Sequence, residues 1–355
     1  MKNFKIGKKM IGYNQQTYFI ADIAANHDGD LKRAKELIYL CAEAGADAAK
    51  FQNFKAEKIV SKYGFENLED KSSHQTRWKK SVYEVYKEAS INYDWTPVLK
   101  ETCKKAGIEY FTSPYDFDSV DKVDPYVDVY KVGSGDITWL EIIDYIAKKG
   151  KPVMIASGAS TIEDVKRAMK VLMKKTKKIV LMQCNTNYTG SLENFKYINL
   201  NVLKTYQKLY PDIILGLSDH TPGHSTVLGA VTLGAKVIEK HFTDDNLRVG
   251  PDHGFAMNPL TWKEMINRTR ELESSLGDGV KRIEKNEIKT IIVQRRSIRA
   301  TRDIKAGEII KKEDFEFLRP ISVNGIPPYE VSKLINKKLK KFLKKGEHIT
   351  WENLK

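Results

Sequence analysis

Polar and ionisable side chains recur in this 355-residue chain at the downstream end of one short apolar run after another. In order they are Asp22, Asn26 and His27; Lys50 and Gln52; Thr112 and Ser113; Lys131, Ser134 and Asp136; Ser157; Thr186; Ser218 and His220; Glu239 and His241. Such groups are costly to bury unpaired, so their recurrence at the same end of each run points to a shared solvent-filled ligand site. Two subsets carry distinct chemistry. Lys50 and Lys131, with the hydroxyls of Ser113, Ser134, Ser157 and Ser218, offer donors and positive charge suited to a substrate bearing phosphate and carboxylate oxygens. His220 and His241 end neighbouring runs. Two imidazoles with open positions suit a divalent ion such as Mn2+, Mg2+ or Co2+ that keeps water and substrate oxygens as further ligands. Taken singly, each lysine reads as a snorkelling or salt-bridged side chain and each histidine as structural; their grouping reverses both readings.

Other residues carry less. His27 precedes Asp28-Gly29-Asp30, which has the form of a helix N-cap, so capping competes with catalysis there. Cys184 has no histidine partner of its own and reads as core filling. Gly133-Ser134-Gly135 is too short for a phosphate loop, and neither a P-loop nor a dinucleotide GxGxxG occurs.

The elements that must position these groups are eight apolar runs: Tyr18–Ala25, Ala48–Phe54, Glu109–Tyr115, Val129–Ser134, Pro152–Gly158, Ile179–Asn185, Ile213–His220 and Lys236–Thr243. Amphipathic helix-period segments lie between them, among them Leu31–Ala44, Thr96–Ala106, Leu140–Lys149, Ile162–Lys174 and Ser225–Gly234. Strands that alternate with helices and are apolar on both faces are parallel, and eight such units predict an α/β fold, a (β/α)8 TIM barrel; an open doubly wound sheet is the alternative. The stretch from Lys55 to Ile108 is long and its first part has no clean period, as in a lid or binding loop. A closing helix, Pro259–Leu276, runs into Gly277-Asp278-Gly279. The expected domains are a barrel over 1–280, a linker over 281–290 and a small β-rich domain over 291–355.

Composition bounds the function. A hydrophobic fraction of 41% and a charged fraction of 30% describe an ordinary globular protein. Three widely spaced cysteines exclude a disulfide framework and a zinc ribbon, and with no apolar leader or membrane-length run the expected location is a reducing cytoplasm. The net charge is +14, and Arg295–Lys355 holds 16 Lys+Arg against 8 Asp+Glu. A basic surplus of that kind attracts anions generally and selects none of them.

Several motifs resemble those of the sialic acid synthases. They are Ala21-Asp22-Ile23-Ala24-Ala25-Asn26-His27-Asp28-Gly29, Lys50-Phe51-Gln52, Tyr130-Lys131-Val132-Gly133-Ser134-Gly135-Asp136, Gly216-Leu217-Ser218-Asp219-His220-Thr221 and Ile238-Glu239-Lys240-His241-Phe242-Thr243. The segment from Ser297 to Pro320 resembles the antifreeze-like (SAF) domain of the same enzymes. The resemblance implies a metal-dependent condensation of phosphoenolpyruvate with an open-chain N-acylated hexosamine, giving a nine-carbon 2-keto sugar acid and phosphate. It implies that Lys50, Ser113, Lys131, Ser134, Ser157, Thr186 and Ser218 hold phosphoenolpyruvate, and that His220 and His241 hold the metal, Mn2+ before Mg2+ or Co2+. Asp22, Gln52, Asp136 and Glu239 are the implied catalytic groups, with Glu239 orienting a ligand histidine or water. Asp22, Gln52, Tyr188, Asp252 and Arg319 are the implied sugar contacts. Arg319 would come from the SAF domain of the other subunit in a domain-exchanged homodimer. The sequence departs from the family at Asp22 and Asp136, each a glutamate elsewhere, and around Cys184-Asn185-Thr186-Asn187-Tyr188, so the wall facing the sugar is altered.

Two other readings compete. A Schiff-base aldolase would use Lys50, Lys131 or Lys240 as a desolvated amine nucleophile. A polyanion-binding protein would use the basic C-terminal module and leave the polar strand ends unexplained. Neither nucleic acid nor a membrane is an expected partner of the synthase.

Overall fold

The computed structural model describes residues 3–69, 75 and 78–355. Contacts divide the chain into two units, Met1–Gly277 and Asp278–Lys355.

In the first unit a hairpin, β1 (Phe4–Ile6) and β2 (Lys9–Ile11), precedes eight parallel strands. These are β3 (Tyr18–Asp22), β4 (Ala48–Asn53), β5 (Glu109–Pro114), β6 (Tyr130–Val132), β7 (Val153–Ala156), β8 (Ile179–Cys184), β9 (Ile214–Asp219) and β10 (Ala235–His241), and β10 pairs with β3 to close a barrel. The expected (β/α)8 fold is the one that forms. All residues of β3, β6, β7, β8 and β9 are buried, as parallel strands sandwiched between a packed interior and a ring of helices require. The helix Leu31–Glu43 starts at Asp30, whose carboxylate accepts from Lys32 N at 2.7 Å. The closing helix Pro259–Ser275 starts at a capping box on Asn258.

Register brings the strand ends into one layer. Asp22 stands opposite both His241 and Lys50, Glu239 opposite Ser218, and Gln52 opposite Ser113. Side chains alternate across a strand, so Lys50 and Gln52 share one face of β4, and Glu239 and His241 share one face of β10. Lys240 falls on the opposite face, where its ammonium meets Asp219 and donates to Thr221 O at 2.5 Å.

Three differences from the sequence reading stand out. The β1–β2 hairpin went unpredicted because three-residue strands carry too little alternation to register. It covers the upstream end of the barrel: Lys8 N donates to Glu109 Oε1 at 3.1 Å, the Lys9 ammonium meets Asp47, and Ile6 and Ile11 join the barrel core. The aperiodic stretch after β4 contains short helices at Ala56–Ile59, Lys62–Glu66 and Val82–Ala89, while its residues 70–74, 76 and 77 lie outside the described residues. The expected linker is structured: residues Lys285–Glu287 make a 3-10 turn leading into a helix, Ile288–Gln294, and Ile292 O accepts from Ile321 N at 2.9 Å. That bond ties the helix to the rest of the second unit.

The second unit builds its own core from Ile298, Ile304, Ile310, Leu334, Leu339, Leu343 and Ile349. Only β11 (Ser297–Ala300) and β12 (Phe315–Leu318) form a ladder, and isolated bridges join the remaining turns. The β-prone piece around Trp351 is a 3-10 turn, Trp351–Asn353. Among the described residues no helix is long and apolar enough to cross a membrane.

Candidate active site

The downstream ends of the strands surround a cavity of about 550 Å³. Its floor is a set of buried ions. Lys50 Nζ donates to Asp22 Oδ2 at 2.6 Å, and Lys131 Nζ donates to Glu239 Oε1 at 2.6 Å. Gln52 Nε2 also donates to Asp22 Oδ2, at 3.3 Å, and Ser218 Oγ to Glu239 Oε1, at 3.1 Å. Burial opposes the charge on Lys50, but Asp22 and Glu239 outweigh it and hold its pKa above the ordinary lysine value. Burial likewise opposes the charge on Glu239, and Lys131 with Lys50 overcomes it, drawing the carboxyl down to about 2. The cations were expected to stand as a purely positive cradle; instead each is paired, so the floor carries no net charge.

Among the described residues, three buried polar atoms in this cavity have no hydrogen-bond partner: Ser113 Oγ, Glu239 Oε2 and His241 Nδ1. Native interiors rarely leave such groups unpaired, and together they face a space fit for a ligand rich in oxygen. Ser134 and Thr186 also line the cavity, and Ser134 Oγ accepts from Gly158 N at 3.0 Å. Ser157 does not join them. Its hydroxyl donates to Met182 O at 2.9 Å, accepts from Tyr206 OH at 2.8 Å, and lines a neighbouring cavity instead.

His220 and His241 meet as the sequence reading requires, with ring centroids 5.3 Å apart. Their pKa values fall to about 3, His220 through burial and then the neighbouring His241, and His241 through burial and then Lys50. Both rings are therefore neutral, the form that ligates metals. His220 Nδ1 donates to Asn185 O at 2.8 Å, which leaves the Nε2 lone pair free. Among the described residues no group of three or more His, Cys, Asp or Glu side chains is disposed to hold a metal. An ion at this pair would rest on two imidazoles, with its other positions left to water and substrate.

Around the histidines stands an aromatic wall. Tyr188 lies 4.3 Å from the His220 ring and Phe255 4.8 Å from the His241 ring, centroid to centroid. Phe54, Trp78, Tyr86 and Tyr115 complete the lining, and Gln75 Nε2 donates to Tyr86 OH at 3.2 Å. Ile59, Gln75, Trp78, Val85, Tyr86 and Ala89 all come from the long stretch after β4, which thus forms part of the cavity wall. Sequence reasoning named none of them individually; the aromatic density around Trp78 and Tyr86 was the available signal.

Two carboxyls on the cavity wall hold their protons unusually well. Burial raises Asp136 to about 6, and raises Asp252 to about 7 against the Ala25 N–H that Asp252 Oδ2 accepts at 3.1 Å. His27 is buried outside this cavity, its Nδ1 accepting from Gly29 N at 3.0 Å. Arg319 is exposed in the second unit, directly after β12.

These features coincide with clear likenesses to known proteins. Residues 37–281 match the model of the NeuB family, and residues 295–355 match that of the SAF domain. The chain is 34% identical to the N,N'-diacetyllegionaminic acid synthase of Legionella pneumophila, over 98% of this chain and 97% of that one. It is 30% identical to the human N-acetylneuraminate-9-phosphate synthase, over 93% and 90% of the two chains. Among solved structures, the N-acetylneuraminic acid synthetase of Leptospira borgpetersenii superposes with a TM-score of 0.71 at 26% identity, covering 82% of this chain and 95% of that one. With a matching barrel, a matching C-terminal module and relatives aligned nearly end to end, the chain belongs to the NeuB family.

Proposed function

We propose that this protein condenses phosphoenolpyruvate with an open-chain N-acylated hexosamine, giving a nonulosonic acid and inorganic phosphate. The observation that carries the reading is the cavity floor: two lysine–carboxylate pairs beside Ser113 Oγ, Glu239 Oε2 and His241 Nδ1, which have no partner among the described residues. Each lysine spends one of its three N–H donors on its carboxylate, and the others are available to phosphate and carboxylate oxygens. Ser113, Ser134 and Ser218 add hydroxyls around the same space. Because the lysine and carboxylate charges cancel, a phosphorylated acid would enter uncompensated unless a dication accompanied it. His220 and His241 are the residues that would hold a divalent ion, Mn2+ in the first instance, and such an ion supplies Lewis-acid polarisation of a carbonyl oxygen.

The remaining chemistry belongs to side chains of this chain. Carbon 3 of phosphoenolpyruvate bonds to the sugar aldehyde carbon, water adds at carbon 2, and the carbon–oxygen bond to phosphate then breaks to leave a ketone. The aldehyde oxygen gains one proton and the water oxygen loses two, one as it adds at carbon 2 and one to the departing phosphate as the ketone forms. Asp136 and Asp252, whose burial raises them to about 6 and about 7, are the groups that would carry these protons. Glu239 holds Lys131 and Ser218 in position. Tyr188 and Asp252 face the acceptor sugar, and Arg319 reaches it from the partner of an exchanged homodimer. The Schiff-base alternative requires a neutral amine, yet Lys50 and Lys131 are ion-paired and Lys240 lies on the outer face of β10 with Asp219.

The test is phosphate release from phosphoenolpyruvate with Mn2+ across a panel of N-acylated hexosamines. Turnover abolished by EDTA and restored by Mn2+ is the expected result. Metal-independent turnover with an adduct trapped by borohydride would establish the aldolase instead.

A further inference from the structure

The loops after β3 and β10 are joined by a second polar network that the chemistry above does not use. Asp28 has φ +52° and Gly29 has φ +72°, so two consecutive residues adopt left-handed backbone, which is unfavourable for a residue with a side chain. That conformation presents the Asp28 carboxylate to three side chains. His253 Nε2 donates to Asp28 Oδ1 at 2.9 Å, Arg248 donates to Oδ2 through Nε at 3.0 Å and Nη2 at 2.8 Å, and Arg33 Nε lies 3.1 Å from Oδ2. A carboxylate only accepts, so the His253 proton is on Nε2. The other nitrogen, Nδ1, meets Thr243 Oγ1 at 2.7 Å, and the ring has no exposed surface. Arg33 adds a bidentate pair to Asp244, at 2.8 and 2.5 Å, and donates to Asn26 O at 2.8 Å. Gly250 completes the packing: a Cβ there would stand 2.6 Å from the His253 ring.

The residues beside His253 form the cavity wall. Asp252 lines the cavity, accepts from Ala25 N, and has its Oδ2 3.9 Å from His241 Nδ1. Phe255 packs on the His241 ring. Backbone bonds hold the downstream end of this loop, Met257 N to His241 O at 2.8 Å and Thr243 N to Met257 O at 2.9 Å, whereas the segment carrying Asp252 is held by side chains.

We propose that Asp28 and His253 form a clamp that positions Asp252, and with it the acceptor-sugar side of the cavity, over the histidine pair. They are positioning residues, acting through Asp252 and not on the reacting atoms. This inference rests on the proposed condensation. It predicts that His253→Ala raises the KM for the acceptor about tenfold or more while the KM for phosphoenolpyruvate stays within about twofold. His253→Gln, which can still donate to Asp28, recovers part of the loss. In a double-mutant cycle, adding His253→Ala to Asp252→Ala costs little further, because the clamp has nothing left to position. If His253→Ala does not fold, the near-isosteric Asp28→Asn is read in its place with the same expectation. Equal rises in both KM values, or losses that multiply in the double variant, would overturn the clamp while leaving the condensation standing. A wild-type protein that releases no phosphate with any acceptor overturns the condensation itself, and the clamp's catalytic meaning with it.

Discussion

At the scale of single residues, the buried ions decide most outcomes. Asp136 is the clearest titration. Its folded pKa of about 6 lies above the ordinary aspartate value, so its contribution to stability is complete in acid and is lost as pH rises through 6. Asp136→Asn should therefore stabilise the protein by about 1–3 kcal/mol at pH 8 and by almost nothing near pH 4, as denaturant titrations at the two pH values would show. Lys240 and Asp219 behave differently, because each is buried and neutralises the other. Lys240→Met strands a buried carboxylate and should cost about 3–5 kcal/mol, whereas Lys240→Met with Asp219→Leu should recover much of it. His241→Ala should keep the fold and abolish Mn2+-supported turnover, with Mn2+ binding followed by electron paramagnetic resonance. Residue types at strand ends were legible in the sequence because polar groups stand out against apolar runs. Their pairing was not: the register that sets Asp22 beside Lys50 depends on which strands are neighbours, and no single run states that.

At the scale of elements, strand parity explains both success and failure. Alternation sorted Glu239 and His241 from Lys240 once β10 was placed, and the parallel register did the rest. Ser157 shows the limit. It follows β7 at the expected level, yet its hydroxyl is captured by Met182 O and Tyr206, a competition invisible in a one-dimensional pattern. The next residue has a tighter role. A Cβ on Gly158 would lie 2.5 Å from Thr186 Cγ2 and 2.9 Å from Ser134 Oγ, so the loop after β7 approaches the cavity wall with no room to spare. Gly158→Ala should raise the KM for phosphoenolpyruvate about tenfold and leave the acceptor KM much less affected, as initial-rate measurements would show. The aromatic wall from the stretch after β4 escaped residue-level reading because short helices there carry no sustained period.

At the scale of the whole molecule, the chain is a barrel with a separately cored basic unit, and each has its own hydrophobic cluster. Residues 278–355 expressed alone should unfold cooperatively in denaturant, since their core of isoleucines and leucines closes without the barrel. A non-cooperative transition would count against that autonomy. The hairpin β1–β2 bears on traffic through the other unit. With Ile6 and Ile11 packed into the core at the upstream end of the strands, the cavity opens among the described residues at the downstream end, and a reactant lying deeper there must go in before its companion and come out after it. If the proposed condensation holds, the lysine-floored end predicts a compulsory order, phosphoenolpyruvate ahead of the sugar and phosphate last away, which product-inhibition patterns would reveal.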